Sequence, residues 1–156
     1  MPRRQAPART PPRRNTMALL GMAYMSLGHR IVEGVNAAGF PNRPAHSSVM
    51  AHIDIEGGTR LTTIAARANI TPQAVGELVD DLERLGYLVR RPDPDDRRAK
   101  RIVLTEQGQA CVAAALSTIA TLEAEVEGLL GSAGLAQLHD MLGRIATAAR
   151  KSGDAR

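Results

Sequence analysis

The sequence predicts a mainly α-helical fold with one small β-hairpin, an α+β arrangement, and three observations carry that prediction. First, apolar residues recur at helical spacing through most of the 156 residues while the aromatic fraction is only 2%. A core built from Leu, Ile, Val, Met and Ala suits packed helices better than a β-sandwich. Second, Leu61 to Ala68, the link Asn69-Ile70 and the stretch opening at Thr71 read as a short helix, a tight turn and a second helix, which is helix-turn-helix spacing. Third, two short strand-like runs follow directly, Tyr87 to Arg91 and Arg101 to Leu104, joined by the polar segment 92–100. A helix pair with a basic-tipped hairpin behind it is a winged helix-turn-helix.

Residues 1–16 hold Arg3, Arg4, Arg9, Arg13 and Arg14 with four prolines and no acid. A disordered basic tail is expected there, either an arm for phosphates or a solubilising start, with Met17 as an alternative first residue. Met17 to Ala38 reads as a helix whose Leu20, Met25, Leu27, Ile31, Val32 and Val35 cover more than one face, so it needs two packing partners. His29 and Glu33 share a face and are expected as a surface or intersubunit pair, since two ligands do not make a metal site. Gly39 to Pro44 is a turn. Ala45 to Ile55 is a helix burying Val49, Met50 and Ile53, broken by Gly57-Gly58. His46 and His52 fall on different faces of it. Leu61 to Ala68 turns Ile64, Ala65 and Ala68 inward, with Thr62 or Thr63 as the cap.

The second helix of the pair opens on Thr71, a good N-cap, with Pro72 at the first helical position. Val75, Leu78, Val79, Leu82 and Leu85 form its buried face, which leaves Thr71, Gln73, Ala74, Gly76 and Glu77 outward on the first two turns. Short side chains there admit close approach, and Thr71 and Gln73 can bond to phosphates or base edges at a helix end that favours anions. Gly86 ends the helix. Thr105 caps a long helix to about Leu130 on a stripe of Cys111, Val112, Ala115, Leu116, Ile119, Leu122, Val126 and Leu129. Gly131 to Gly134 interrupts it, and Leu135, Leu138, Met141, Leu142 and Ile145 mark a last helix to about Ala149. These helices carry more apolar surface than one small winged domain can cover, which points to a homodimer, the alternative being a compact monomer that folds the last helices back on the first. The expected layout is a tail at 1–16, dimerisation helices at 17–40 and 105–150, and a DNA-binding domain at 45–104.

The net charge of +4 is unevenly placed, because the tail's arginines leave fifteen basic against sixteen acidic groups in the rest of the chain. Within that near-neutral body, Arg90, Arg91, Arg97, Arg98, Lys100 and Arg101 face only Asp93, Asp95 and Asp96, a local surplus of three on the hairpin. Double-stranded DNA is the expected partner of that patch, with Arg91, Arg97, Arg98 and Lys100 as candidate contacts. A calcium loop at Asp93, Asp95 and Asp96 fails for want of the glycine and the terminal glutamate. Cys111 is the only cysteine, so no internal disulfide or thiolate metal cluster forms and a cytoplasmic location is expected. On a mid-helix apolar stripe its thiol is expected to be inert. No apolar run approaches the roughly 18 residues of a membrane span, and no signal peptide pattern opens the chain. An enzyme is not expected: no nucleophile sits beside a base, no glycine-rich phosphate loop occurs and the histidines are scattered. No cofactor is expected.

The stretch from Leu61 to Gly108, with its Asp93-Pro-Asp-Asp-Arg-Arg-Ala wing followed by Leu104-Thr-Glu-Gln-Gly, resembles the winged-helix core of the MarR family of bacterial transcription regulators. The resemblance implies an obligate homodimer whose first and last two helices intertwine, with two winged domains on adjacent segments of a pseudo-palindromic operator. It implies Thr71, Gln73, Ala74 and Glu77 at the major groove, Arg98 in the minor groove, Asp96 orienting Arg98, and Arg97 as a phosphate or second wing-tip contact. A guanidinium is drawn by the negative potential of a narrow minor groove, which supports the wing assignment. Family members also respond to small anions, phenolic compounds or oxidants at the junction of the dimer helices with the DNA-binding domain. A small-molecule effector is therefore a candidate partner, and Met25, His29, Arg43 and His46 fall near that junction by rough placement. Such a ligand releases DNA by favouring a wing spacing that misses half-sites about 34 Å apart. Cys111 lacks the early-helix position of the family's peroxide sensors. Gly76 and Glu77 depart from the hydroxyl and basic residues common in the family, so no operator sequence carries over and a steep salt dependence is expected. The expected function is a sequence-specific DNA-binding regulator acting as a repressor. The alternative is a sequence-tolerant architectural DNA binder that uses the arginine tail.

Overall fold

A computed structural model describes residues 15–96 and 98–153, with side chains as far as residue 149. In chain order the elements are α1 (Thr16–Ala37), α2 (Pro44–Met50), β1 (Thr59–Arg60), α3 (Leu61–Ala68), α4 (Pro72–Arg84), β2 (Leu88–Pro92), β3 (Lys100–Leu104) and α5 (Glu106–Gly153). The mainly α fold with a winged hairpin is as expected, with one addition. β1 pairs with β3, so the hairpin becomes a three-stranded antiparallel sheet of order β1-β3-β2. Gly58, at φ +69°, makes this pairing reachable, because a side chain there would run into the carbonyl of Ile102. The Thr59 hydroxyl anchors the strand, accepting from the Asp54 amide at 2.9 Å and donating to Asp54 Oδ2 at 3.0 Å.

Three helix boundaries differ from those expected. α1 begins at Thr16 because Asn15 caps it, its side chain accepting from the Ala18 amide at 2.9 Å. The described chain thus becomes helical one residue inside the segment assigned to the tail, of which residues 1–14 lie outside the described residues. α2 stops at Met50 rather than Ile55 and continues as turns, although Ile53 is still buried at 6% exposure. α3 takes Arg60 as its N-cap residue without a side-chain cap bond, and Thr62 and Thr63 lie inside the helix instead of capping it.

The core lies where α2, α3, α4 and the sheet converge beneath α5: Val49, Ile64, Val75, Val79, Leu82, Tyr87 and Ile102 are all within 1% of full burial. Tyr87 spans two layers, its ring edge-on to Phe40 at 6.3 Å and its hydroxyl donating to the Pro41 carbonyl at 3.2 Å. Thr105 joins this core to α5. Its hydroxyl donates to the Gly86 carbonyl at 2.6 Å and accepts the Gly108 amide at 3.0 Å, so one side chain ties the end of α4 to the start of the long helix.

α5 bends at Gly131, where φ 71° and ψ 162° depart from helical geometry, close to the break expected from its glycines. His139 reaches Glu123 across the bend at 2.9 Å. α1 crosses α5 closely: a Cβ at Gly34 would meet Thr118, and Arg30 grips Glu125 through two bonds of 2.6 and 2.7 Å. Much of the apolar surface of both helices faces outward, including Met22, Tyr24 and Met25 on α1 and Leu116, Leu129 and Met141 on α5. His29 and Glu33 form an exposed pair at 3.2 Å on α1. Among the described residues no helix is long and apolar enough to cross a membrane. Cys111 is 2% exposed, and burial pushes its thiol pKa up.

Candidate DNA interface

α4 divides lengthwise. Val75, Val79 and Leu82 enter the core with Leu78 and Leu85 packed against it, while Thr71, Gln73 and Glu77 are exposed and Ala74 and Gly76 half-buried. The helix is set in place by Asn69, whose left-handed φ of 55° turns the chain sharply between α3 and α4. The Thr71 side chain accepts from the Ala74 amide at 3.2 Å, which caps the helix and leaves the hydroxyl proton free to donate outward. Gln73 reaches Glu77 at 3.4 Å, and a Cβ at Gly76 would meet nothing within 4 Å. This first half of α4 therefore presents a face of small and polar groups with open space in front of it.

The second half of α4 is bound to its neighbours by charge. Asp81 pairs with Arg43 and Arg84, with the His46 Nε2 atom 3.8 Å away. His46 is 3% exposed and accepts from Arg43 Nε at 3.2 Å; burial and the adjacent guanidinium lower its pKa, so the ring stays neutral near pH 7. Asp80 and Glu83 both pair with Arg90 of β2.

The wing is built on a buried carboxylate. Asp93, whose side chain has no exposed surface, accepts from Arg60 Nε at 2.6 Å and from the Asp95 amide at 2.9 Å, and Arg101 Nε lies 3.1 Å from it. The Arg60 bond first and the Asp95 amide second hold this carboxyl far below the usual carboxylate range. Arg101 also reaches Asp95 at 3.1 Å. β1, the wing turn and β3 are thereby pinned to one side chain that the hairpin's composition marked only as a turn acid.

The wing-tip residues are placed as follows. Asp96 Oδ1 accepts the backbone amide of Arg98 at 3.0 Å, and its carbonyl accepts from the Ala99 amide at 2.9 Å. Asp96 thereby shapes the main chain of the turn that carries Arg98. Arg97 lies outside the described residues. Arg91, Arg98 and Lys100 are exposed, and none has an ion pair among the described residues. Arg91 stands opposite Arg101 in the ladder and Lys100 opposite Pro92. Arg90 and Arg101 are taken up by Asp80, Glu83, Asp93 and Asp95, so among the described residues the outward basic groups of the hairpin are Arg91, Arg98 and Lys100. The anchoring roles of Arg60, Asp93 and Arg90 were not evident in sequence, because their partners lie on other strands or on the preceding helix.

The four residues placed near the junction fall in two cavities. Arg43 and His46 line a cleft of about 550 Å³ with Asn42, Asp81, Arg84 and Leu85, whereas Met25 and His29 line an open groove of about 910 Å³ along α1. They do not share one pocket. Among the described residues no cluster of three or more His, Cys, Asp or Glu side chains is arranged to hold a metal ion.

Comparison with known proteins places this geometry. A sequence model described as MarR family matches residues 41–99. The chain is 31% identical to a transcriptional repressor, CouR, solved bound to a 23-mer DNA duplex; the superposition covers 85% of this chain and 92% of that one at a TM-score of 0.71. The crystal structure of MarR superposes with a TM-score of 0.74 at 20% identity, over 94% of this chain and 99% of that one, which speaks to the fold. An uncharacterized HTH-type transcriptional regulator of Bacillus subtilis (strain 168), YkoM, is 29% identical over 94 residues. That match covers 60% of this chain and 60% of the relative, so the chain spans about three-fifths of that relative's length.

Proposed function

Because the chain belongs to the MarR family of winged-helix transcription regulators, we propose that it binds duplex DNA as a cytoplasmic homodimer and represses transcription from a pseudo-palindromic operator. The observation that carries this reading is the outward half of α4. Thr71, Gln73 and Glu77 are exposed, Ala74 and Gly76 are half-buried with open space in front of Gly76, and the wing that follows exposes Arg91, Arg98 and Lys100 without ion partners among the described residues. In this reading Thr71, Gln73, Ala74 and Glu77 address the major groove. Arg98 enters the adjacent minor groove on a turn shaped by Asp96, and Arg91, Arg97 and Lys100 meet phosphates. Residues 45–104 form the DNA-binding domain.

The many exposed large apolar side chains of α1 and α5 support dimerisation through 17–40 and 105–150, since such side chains gathered on two helices mark an interaction surface. That the related CouR is a repressor solved on DNA supports both the partner and the direction of control. A small-molecule effector at the junction of the dimer helices and the winged domain would act by shifting the spacing of the two wings.

The test is binding of the purified protein to the DNA upstream of its own gene, against an unrelated duplex of equal length, over a salt series. A preference of about a thousandfold surviving physiological salt is the expected result. Equal and steeply salt-dependent binding to both duplexes, lost when residues 1–16 are removed, would refute it.

A further inference from the structure

α4 carries Glu77, Asp80, Asp81 and Glu83 against a single cation of its own, Arg84. Four acids on a helix that approaches phosphates oppose binding unless they do something else. Asp81 is engaged by Arg43 and Arg84. Asp80 and Glu83 converge on one residue of the wing: Arg90 donates its backbone amide to Glu83 Oε1 at 3.0 Å, Nη1 to Glu83 Oε2, and Nη2 to Asp80 Oδ1 at 2.7 Å. The Arg90 and Glu83 side chains are each 27% exposed, so the two bonds to Glu83 are half-buried while the third, to the exposed Asp80, lies at the surface.

We infer that Arg90 is a positioning residue: it touches no DNA and fixes the wing to the reading helix so that Arg98 and the Thr71–Glu77 face meet one half-site together. This rests on the DNA-binding reading above. Arg90 sits in the β2–β3 ladder opposite Ile102, and Arg98 hangs from the turn closing that ladder, so an attachment at Arg90 sets where the turn stands relative to α4. Both elements must engage the same duplex. Holding them in register beforehand removes an ordering cost that binding would otherwise bear. Asp80 and Glu83 are then the anchor of the device, which accounts for these two acids on a helix facing DNA.

The experiment is fluorescence anisotropy of the full-length protein on the preferred duplex, or on any duplex it binds, over a salt series. The proteins are wild type, Arg90→Met, Arg98→Ala, the Arg90→Met/Arg98→Ala pair and an Asp80→Asn/Glu83→Gln pair. Arg90→Met is expected to weaken binding about tenfold in the wild-type background but less than about twofold once Arg98 is gone, because coupled sites are not additive. Its salt slope should match that of wild type. The acid pair, which keeps Arg90 and guards against a misfolded Met variant, should also weaken binding although it removes two negative charges. Equal losses in both backgrounds, no loss at all, a salt slope lowered by about 0.9 as for a lost phosphate contact, or tighter binding by the acid pair would each overturn the positioning role. Wild-type protein that binds no duplex would overturn the DNA-binding reading and this inference together. Wild-type protein that binds every duplex alike, with the coupling intact, would overturn only the operator reading.

Discussion

Thr71 is asked to do two things with one hydroxyl, and the two can be separated. Its oxygen accepts the Ala74 amide at 3.2 Å, and its proton is left to donate to a partner on DNA in the proposed reading. Thr71→Ala removes both. The cap at an exposed N-terminus contributes about 1 kcal/mol, which for a chain of this size lowers Tm by about 2–4 °C. Loss of one neutral hydrogen bond to a base edge in the major groove costs about 1 kcal/mol of binding, roughly fivefold. Thr71→Asp splits the effects, because aspartate caps as well as threonine and its charge is favoured by the helix dipole by about 0.3–1 kcal/mol. Stability should return to the wild-type value or above it. Binding should fall further: the donor is gone, and a carboxylate about 6 Å from a phosphate repels it by about 0.7 kcal/mol in water and more where water is excluded. Together with the lost bond this comes to about 2 kcal/mol or more, roughly thirtyfold. Thermal unfolding at fixed protein concentration and anisotropy on the same duplex read the two quantities. If Thr71→Asp bound DNA within about twofold of wild type, Thr71 would not face DNA and the placement of α4 would be wrong.

Arg98→Ala should lower DNA affinity about tenfold and reduce the salt slope by about 1, with Tm unchanged because the guanidinium has no ion partner among the described residues; undiminished affinity in a salt titration would count against the wing. The Asp93 carboxyl has its folded pKa depressed, so its stabilisation is complete above its unfolded pKa of about 3.9 and is lost as pH falls below that value. Urea midpoints should drop below about pH 4, and Asp93→Asn should flatten that drop without abolishing it, since Asp54 and Glu125 shift in the same direction. Cys111, buried with its thiol pKa raised, should be alkylated far more slowly in the native protein than after unfolding, as followed by mass spectrometry, and peroxide should leave DNA binding unchanged.

The parts of the fold that were legible in the sequence are those fixed by short-range rules. The α4 stripe, the Thr71 cap, the stop at Gly86 and the break at Gly131 all follow from spacing and from one residue's backbone freedom. β1 was not legible because two residues cannot display an alternating pattern, and the strand exists only through its pairing with Ile102 and Arg101. The early end of α2 was hidden because Ile53 stays buried in the turn, so the apolar stripe outlasts the helix. At the candidate interface, side-chain identity placed the outward residues of α4 but not the roles of the charges. Arg90 and Arg101 look like Arg91 and Arg98 in a count of cations, and only the fold brings Asp80, Glu83, Asp93 and Asp95 against the first two. Asp96 stands next to the wing arginines in sequence, yet its bond is to a main-chain amide.

The lengthwise division of α4 sets how such a protein can diversify. Among the described residues the outer groups at positions 73, 76 and 77 carry little: a Cβ at Gly76 meets empty space, and the Gln73–Glu77 contact is long. Positions 80 and 83 are held by Arg90 of β2, and position 81 by Arg43 from the turn before α2. New base preferences can therefore be written on the first two turns at little expense to folding, whereas the same changes one turn later would detach the wing. In the proposed reading recognition is a replaceable layer on a fixed mount, and duplicated copies of the gene could drift toward new operators without first acquiring a more stable scaffold.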